Sequence, residues 1–324
     1  MVEINHNPNL EDDVSFTQFE RLKEVERYVR EGKSYIETAQ RLGMKEDTIR
    51  RYMTEIKNVY KDHNEERPKI LLFDTETQTM QVRVWGLYLQ KIEIHKVIKD
   101  WHLISWAAKW LFEPNVMSDV QTPWEARKRD DKRICKSLWK LFDEADIVIA
   151  HNAKRFDVRK CNARWIANKM LPPSPVRILD TLTEAQKIAG FSSHKLDYLA
   201  QRYCNDGKTP TDFGLWVGCE HGEQESLDKM VHYNRHDVEL LEDVYMLIRP
   251  YIKGHPNLGL YDNTDVPLCP TCGGERITDI KKDYYTNVSR FSMFRCKCGA
   301  YGRRRKNKLT GTDKMKDMTV SVAR

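Results

Sequence analysis

The chain has 324 residues, 40% of them hydrophobic and 31% charged, which is enough for two or three domains with a sizeable core. No run of about 18 apolar residues exists, so a membrane-spanning helix is excluded from the expectations. The formal charge of +6, from 54 basic and 48 acidic residues, is mild and uneven, because RRRKNK follows Gly302 and suits either a solvated tail or contact with a polyanion.

The start, MVEINHNPNLEDD, is polar and acidic and lacks the basic and apolar regions of a secretory signal, so a cytoplasmic protein is expected. Cys135, Cys161, Cys204 and Cys219 are scattered without motif spacing and read as reduced thiols. The other four cysteines cluster near the end.

In chain order, the first block runs to about Asp62 and reads as helical. FTQFERLKEVERYVREG has apolar residues at helical spacing and stops at Gly32. VREGKSYIETAQRLGMKEDTIRRYMTEIK then resembles a helix-turn-helix. Ala39 lies four residues before Gly43, which allows close packing and a tight turn. Thr38 stands where an apolar residue is expected. The second helix would present Thr48, Arg50 and Arg51 to DNA; a small docking bundle is the alternative. KDHNEERP reads as a linker ending at Pro68.

The second block opens with KILLFDTE, an apolar run typical of a buried strand. VRVWGLYL and KIEIHKVI read as further strands, and WHLISWAAKWLF as a strand or a helix. RDDKRICKSLWKLFDEAD is an amphipathic helix, DIVIAHN a strand, FDVRKCNARWIANKM a helix, ILDTL a short strand and HKLDYLAQRYC a helix. A long helix, ESLDKMVHYNRHDVELLEDVYMLIRPYI, ends before Gly254 and Pro256. Strands followed by alternating strands and helices predict a mixed α/β sheet flanked by helices. The expected divisions are 1–62, 68–253, a cysteine module at 263–306 and a basic tail at 307–324.

Four acids carry the chemistry. Asp74 and Glu76 are two residues apart at a strand end, so both leave one face. Asp157 follows the strand DIVIAHN and a turn. Asp237 lies on the long helix, with Tyr233 one turn earlier. Three elements can aim these acids at one point, where hard cations such as Mg²⁺ prefer carboxylate oxygens. His151 and His236 near these motifs read as packing or surface residues.

DTE, then HNAKRFD, then YNRHDVELL resemble the DEDD 3′–5′ exonuclease superfamily of the ribonuclease H-like fold, over roughly residues 68–253. The closest forms are proofreading domains of family B polymerases and stand-alone phage exonucleases, whose setting would be the host cytoplasm. The resemblance implies that Asp74, Glu76 and Asp237 hold one of two Mg²⁺ or Mn²⁺ ions, that Asp74 bridges to the second and that Asp157 supports it. It also places Asp180 near the site, and Asn152 at the nucleic acid or in the turn. The superfamily divides between a Tyr four residues before the last Asp and a His five before. Here Tyr233 and His232 satisfy one each. A spacing of four turns a helix by about 40° and five by about 140°, which favours Tyr233 on an unbroken helix. With an ordinary pKa near 10, the tyrosine orients water rather than deprotonating it.

Cys269-Pro-Thr-Cys272-Gly and Cys296-Lys-Cys298-Gly flank a predicted hairpin turning near residues 286–289. Two short cysteine pairs suit one structural, tetrahedral Zn²⁺ with four thiolates. The module looks like a zinc ribbon, although the second pair has one intervening residue where ribbons usually have two. Its Tyr, Phe, Lys and Arg suit base stacking and phosphate neutralisation, or a very small core.

The implied function is two-metal hydrolysis of nucleic-acid 3′ ends, DNA rather than RNA, with replication or repair proteins as possible partners and no membrane role. Two alternatives remain open: a structure-selective endonuclease or transposase-like nuclease of the same fold, and a non-catalytic DNA-binding protein.

Overall fold

A computed structural model describes Val25 and residues 35–45, 47–50, 67–88 and 91–309. The chain divides into two compact units, Met1–Glu65 and Glu66–Arg324.

In the first unit, helix α1 spans Tyr35–Leu42. Gly43 takes the left-handed conformation at φ 63°. The Met44 N–H then reaches back to the Ala39 carbonyl at 2.9 Å and closes the helix end. A second helical turn begins at Asp47. Ala39, Ile49 and Thr38 are buried, and the Thr38 hydroxyl finds no hydrogen-bond partner. The expected helix over 16–32, apart from helical Val25, and the candidate contact Arg51 lie outside the described residues.

The second unit is built on a five-stranded sheet. Its strands are β1 (Ile70–Thr77), β4 (Leu103–Trp110), β5 (Val116–Val120), β6 (Ile147–Ala150) and β7 (Arg177–Asp180), in the order β5-β4-β1-β6-β7. A two-stranded ribbon of β2 (Gln81–Val82) and β3 (Val97–Lys99) stands apart. The central strand β1 runs parallel to β6 and antiparallel to β4. Such a strand is covered on both faces, which explains its continuous apolar run. Ile70 and Leu72 face one cluster with Val238 and Leu241; Leu71 and Phe73 face another with Leu138, Phe142 and Trp165.

The helices are α2 (Pro123–Lys128), α3 (Lys132–Glu144), α4 (Asp157–Ala167), α5 (Thr181–Ile188), α6 (Leu196–Tyr203), α7 (Phe213–His221) and α8 (Gln224–Ile248). Along α8, Leu227, Met230, Tyr233, Asn234, Asp237, Val238, Leu241, Val244, Tyr245 and Ile248 are buried, a continuous stripe at helical spacing. That stripe lies on the sheet and carries the last motif with it. The mixed sheet with flanking helices fits a ribonuclease H-like architecture. Among the described residues no helix is long and apolar enough to cross a membrane.

Of the two readings left open for WHLISWAAKWLF, the structure has the strand, β4, buried on both faces. Other expectations are corrected. Among its described residues VRVWGLYL is no strand beyond Val82: Trp85, Leu87 and Tyr88 are more than nine-tenths exposed, so alternation there reflects no buried face. KIEIHKVI is a 3₁₀ turn at Ile94–Lys96 followed by the short β3. Strand β5 and helices α2, α5 and α7 escaped the sequence reading.

At the C-terminal end, β8 (Ile277–Thr286), β9 (Ser289–Cys296) and β10 (Tyr301–Asn307) form a three-stranded antiparallel sheet in the order β10-β9-β8. The hairpin is extended by a third strand, because the basic run after Gly302 is β10 itself. Gly302 is required there: a Cβ would meet the Phe294 ring at 2.2 Å.

Candidate metal-binding active site

Strand β1 delivers Asp74 and Glu76 from one face at its C-terminal end, opposite the small residues Ala107 and Ser105 of β4. Helix α8 delivers Asp237. Carboxylate oxygens of these three residues all lie within 4.8 Å of one another. Asn234, three residues before Asp237, donates its Nδ2–H to Asp74 Oδ2 at 2.6 Å and accepts from the Ser105 hydroxyl at 3.2 Å. Asn234 and Ser105 are fully buried, so this link fixes the Asp74 rotamer.

Asp157, at the start of α4, is buried but stands beside this group rather than within it. It accepts a hydrogen bond from the Thr75 hydroxyl at 2.9 Å. Thr75 points to the opposite face of β1 from Asp74 and Glu76.

The electrostatics of the cluster are unfavourable without a counter-charge. Burial, then Asp157 and Asp237, pushes Asp74 well above the ordinary carboxylate range. Burial and Asp237 push Glu76 up to about 8. Burial raises Asp157 to about 6. Asp237 is raised by burial against the pull of Lys208, and its Oδ1 is buried with no hydrogen-bond partner. A cluster of acids, Asp237 buried with an orphaned oxygen and Asp74 and Glu76 half-buried, is the donor set that a hard divalent cation fits.

Lys208 is a site residue that sequence reading missed. Its Nζ bonds Asp237 Oδ2 and lies 3.3 Å from the Tyr233 hydroxyl. Burial opposes its charge, but Asp237 and Asp74 outweigh burial and raise its pKa. It comes from the loop between α6 and α7, where the only signal is a lysine in a turn-rich stretch, NDGKTPTD.

Tyr233 is buried next to Trp216, and burial with Asp237 pushes its pKa up to about 12. His232 is exposed on the unbroken α8. Asn152 adopts φ 75°, and its N–H donates to Asp180 Oδ1 at 3.0 Å. Asp180 also accepts from the N–H groups of Lys154, Leu182 and Thr183. Both residues therefore build the turn leading to α4. His151 is held between the Thr181 hydroxyl and the His194 carbonyl. Thr48 is half-buried and Arg50 exposed in the first unit.

The four clustered cysteines also converge. Cys269 and Cys298 sulfurs are 3.7 Å apart, Cys272 and Cys296 sulfurs 3.6 Å. Zn–S bonds of about 2.3 Å in a tetrahedron require S···S distances of about 3.8 Å, so the thiols fit one zinc ion. Gly273 and Gly299 hold positive φ and turn the two knuckles, and the Gly274 N–H points at Cys272 Sγ at 3.4 Å. Cys135, Cys161, Cys204 and Cys219 lie outside this group.

Residues 112–249 match a family model described as the RNase_H superfamily. This segment includes Asp157, Lys208, Tyr233 and Asp237 and leaves out β1. Among solved structures, the chain is similar to the family B DNA polymerase from the hyperthermophilic archaeon Pyrobaculum calidifontis, with 12% identity, a TM-score of 0.43, and coverage of 56% of this chain and 25% of that one. The likeness spans about a quarter of that polymerase. A search of the curated proteins finds no match. The family match covers less than half of the chain and, with the mixed sheet flanked by helices, supports a ribonuclease H-like fold.

Proposed function

We infer that the chain is a 3′–5′ exonuclease that hydrolyses phosphodiester bonds at nucleic-acid ends, DNA in preference to RNA. The observation that carries this reading is the convergence of Asp74, Glu76 and Asp237 from β1 and α8, with Asp237 Oδ1 buried and without a hydrogen-bond partner. Bound at Asp74, Glu76, Asp157 and Asp237, two Mg²⁺ or Mn²⁺ ions would offset the buried charge, act as Lewis acids on the phosphate and acidify water.

The chain's own groups do the rest. Asn234 and Ser105 hold Asp74 in one orientation. Tyr233, with its raised pKa, keeps its proton and orients the attacking water rather than deprotonating it. Lys208 holds a cation beside Asp237 and faces the charge that develops on the phosphate. The pairing of Asp-x-Glu with a Tyr four residues before Asp237 favours exonuclease over endonuclease action.

In this reading the N-terminal unit is a helix-turn-helix that touches DNA through Thr48, Arg50 and Arg51. The C-terminal module is a zinc ribbon closed by Cys269, Cys272, Cys296 and Cys298. Replication or repair proteins are the protein partners this reading suggests for the chain.

The test is a Mg²⁺-dependent time course on 5′-labelled single-stranded DNA, with Asp74→Ala beside the wild type. A descending ladder, reduced by about 10³-fold or more in the variant, is the expected result. Cleavage of a closed circular strand would replace the exonuclease reading with an endonuclease.

A further inference from the structure

The two faces of the C-terminal sheet differ in chemistry. Cross-strand pairing puts Asp279, Phe294 and Gly302 on one face, continued by Asp283 and Arg304. Arg295 with Tyr301, Met293 with Arg303, and Tyr284 with Phe291 lie on the other. Both aspartates of the sheet belong to the first face, where they hold neighbouring cations. Asp279 accepts from Arg304 at 2.8 Å, and Asp283 accepts from Arg290 at 2.5 Å and Lys308 at 2.7 Å.

Among the described residues, the strands bring no acid to the second face. The Arg303 guanidinium lies 4.0 Å from the Phe291 ring centre and 5.7 Å from that of Tyr284. Arg295 lies 5.7 Å from the ring centre of Tyr301. Both arginines are exposed. Tyr284 is 45% and Tyr301 57% exposed, so ring surface remains open beside each cation.

Charge argues that these contacts serve more than folding. Residues 275–309 hold eleven Lys or Arg against three acids, a net of +8 that exceeds the +6 of the entire chain. Four thiolates around one Zn²⁺ lower this by two. So many like charges on one small sheet repel one another, and ring stacking does not cancel that cost. A polyanion does. A guanidinium stacked on a ring still presents its edge N–H groups to phosphate. The neighbouring tyrosines offer faces on which any base stacks. Paired bases in a duplex hide their faces, whereas unpaired bases present them.

The geometry points to this face as a platform for single-stranded nucleic acid, with Arg295 and Arg303 on phosphates and Tyr284 and Tyr301 on bases. It rests on the nuclease reading only for what happens to the bound strand; binding itself does not involve the carboxylate site. Neither stacking nor phosphate contact reads the sugar, so DNA and RNA strands use the face alike.

The test measures binding of fluorescent dT20 and rU20 by anisotropy across a salt series. It uses the full-length, zinc-loaded chain carrying Asp74→Ala so that strands survive. Arg295→Gln with Arg303→Gln should weaken both strands at least tenfold and lower the salt slope by about 1.4, since each phosphate contact on a single strand contributes about 0.7. Tyr284→Leu with Tyr301→Leu should weaken both at least tenfold with the slope unchanged, and Tyr284→Phe with Tyr301→Phe should bind as the parent does. If the arginine variant fails to fold, as judged by circular dichroism and melting, the exposed tyrosine pair carries the test. The proposal is overturned if both variants bind as tightly as the parent, if only one sugar type loses affinity, or if a 20-base-pair duplex or anionic vesicles lose as much as dT20. Loss of binding with no nuclease activity in any form, including the chain with Asp74 intact, supports the platform and removes the exonuclease reading instead.

Discussion

The carboxylate cluster and the thiol cluster gather ligands in opposite ways. Asp74, Glu76 and Asp237 come from elements far apart in the chain, and they are forced together by a core that includes twenty buried residues on the α8 side of the sheet alone. The four cysteines come from two knuckles at one end of an antiparallel sheet, where Ile277 pairs with Cys296, and the buried apolar cluster around them is just Cys269, Cys296 and Ala300. Apolar burial of about 25 cal/mol per Å² can impose repulsion on the acids. Nothing comparable holds the sulfurs. The acids are positioned despite their chemistry, whereas the cysteines are positioned by it.

The largest test of this contrast is Cys272→Ser, or removal of zinc by a chelator. Structural zinc sites contribute about 10–16 kcal/mol of apparent free energy in small zinc-binding peptides. Hydrogen exchange should show 277–307 losing protection while β1 and β4 keep theirs. Equal loss in both regions would mean that the two parts fold as one.

A change at an acid should have the opposite sign. The Glu76 pKa is raised from 4.5 to about 8 in the folded chain, so the unfolded chain ionises first. Metal-free stability is therefore highest below pH 4.5 on this account and is lost as pH rises through 8. Glu76→Gln removes the charge and keeps the shape. At pH 9 without divalent metal it should stabilise the chain by about 1–3 kcal/mol, read as a higher melting temperature, while abolishing nuclease activity. A lower melting temperature would mean that the acids attract a proton or cation strongly enough to be structural.

The smallest effect belongs to the brace between sheet and helix. Asn234→Ala leaves Ser105 and Asp74 without their shared partner and should cost about 1–2 kcal/mol by denaturant unfolding. Activity should fall about tenfold through a less ordered Asp74. Unchanged activity with lowered stability would make Asn234 a packing residue only.

The sequence made the acids readable because strand and helix periodicities translate directly into shared faces: Asp74 with Glu76, and Tyr233 with Asp237. Lys208 and Asn234 were hidden for different reasons. Lys208 sits in an irregular loop whose path is set by tertiary packing. Asn234 is one polar residue on a helix stripe and gains meaning only when Ser105 of β4 lies opposite. VRVWGLYL misled because alternation signals a strand only where one face is buried, and here Trp85 and Leu87 face solvent. In β10 a run of arginines and lysines that suited either a solvated tail or contact with a polyanion gave no strand signal of its own, although Gly302 packed against Phe294 is what a strand crossing a ring requires.

Helix α8 has one more consequence. It carries Asp237 near its middle and runs on through the 3₁₀ turn Arg249–Tyr251, where the Pro250 ring meets Gly299 of the second cysteine knuckle. A rigid helix measures out distance and angle by counting residues. Removing a single residue between Asp237 and Ile248 would draw everything beyond it about 1.5 Å closer and swing it by about 100°. Homologous lengths should therefore be held constant across α8 even where its exposed residues vary freely.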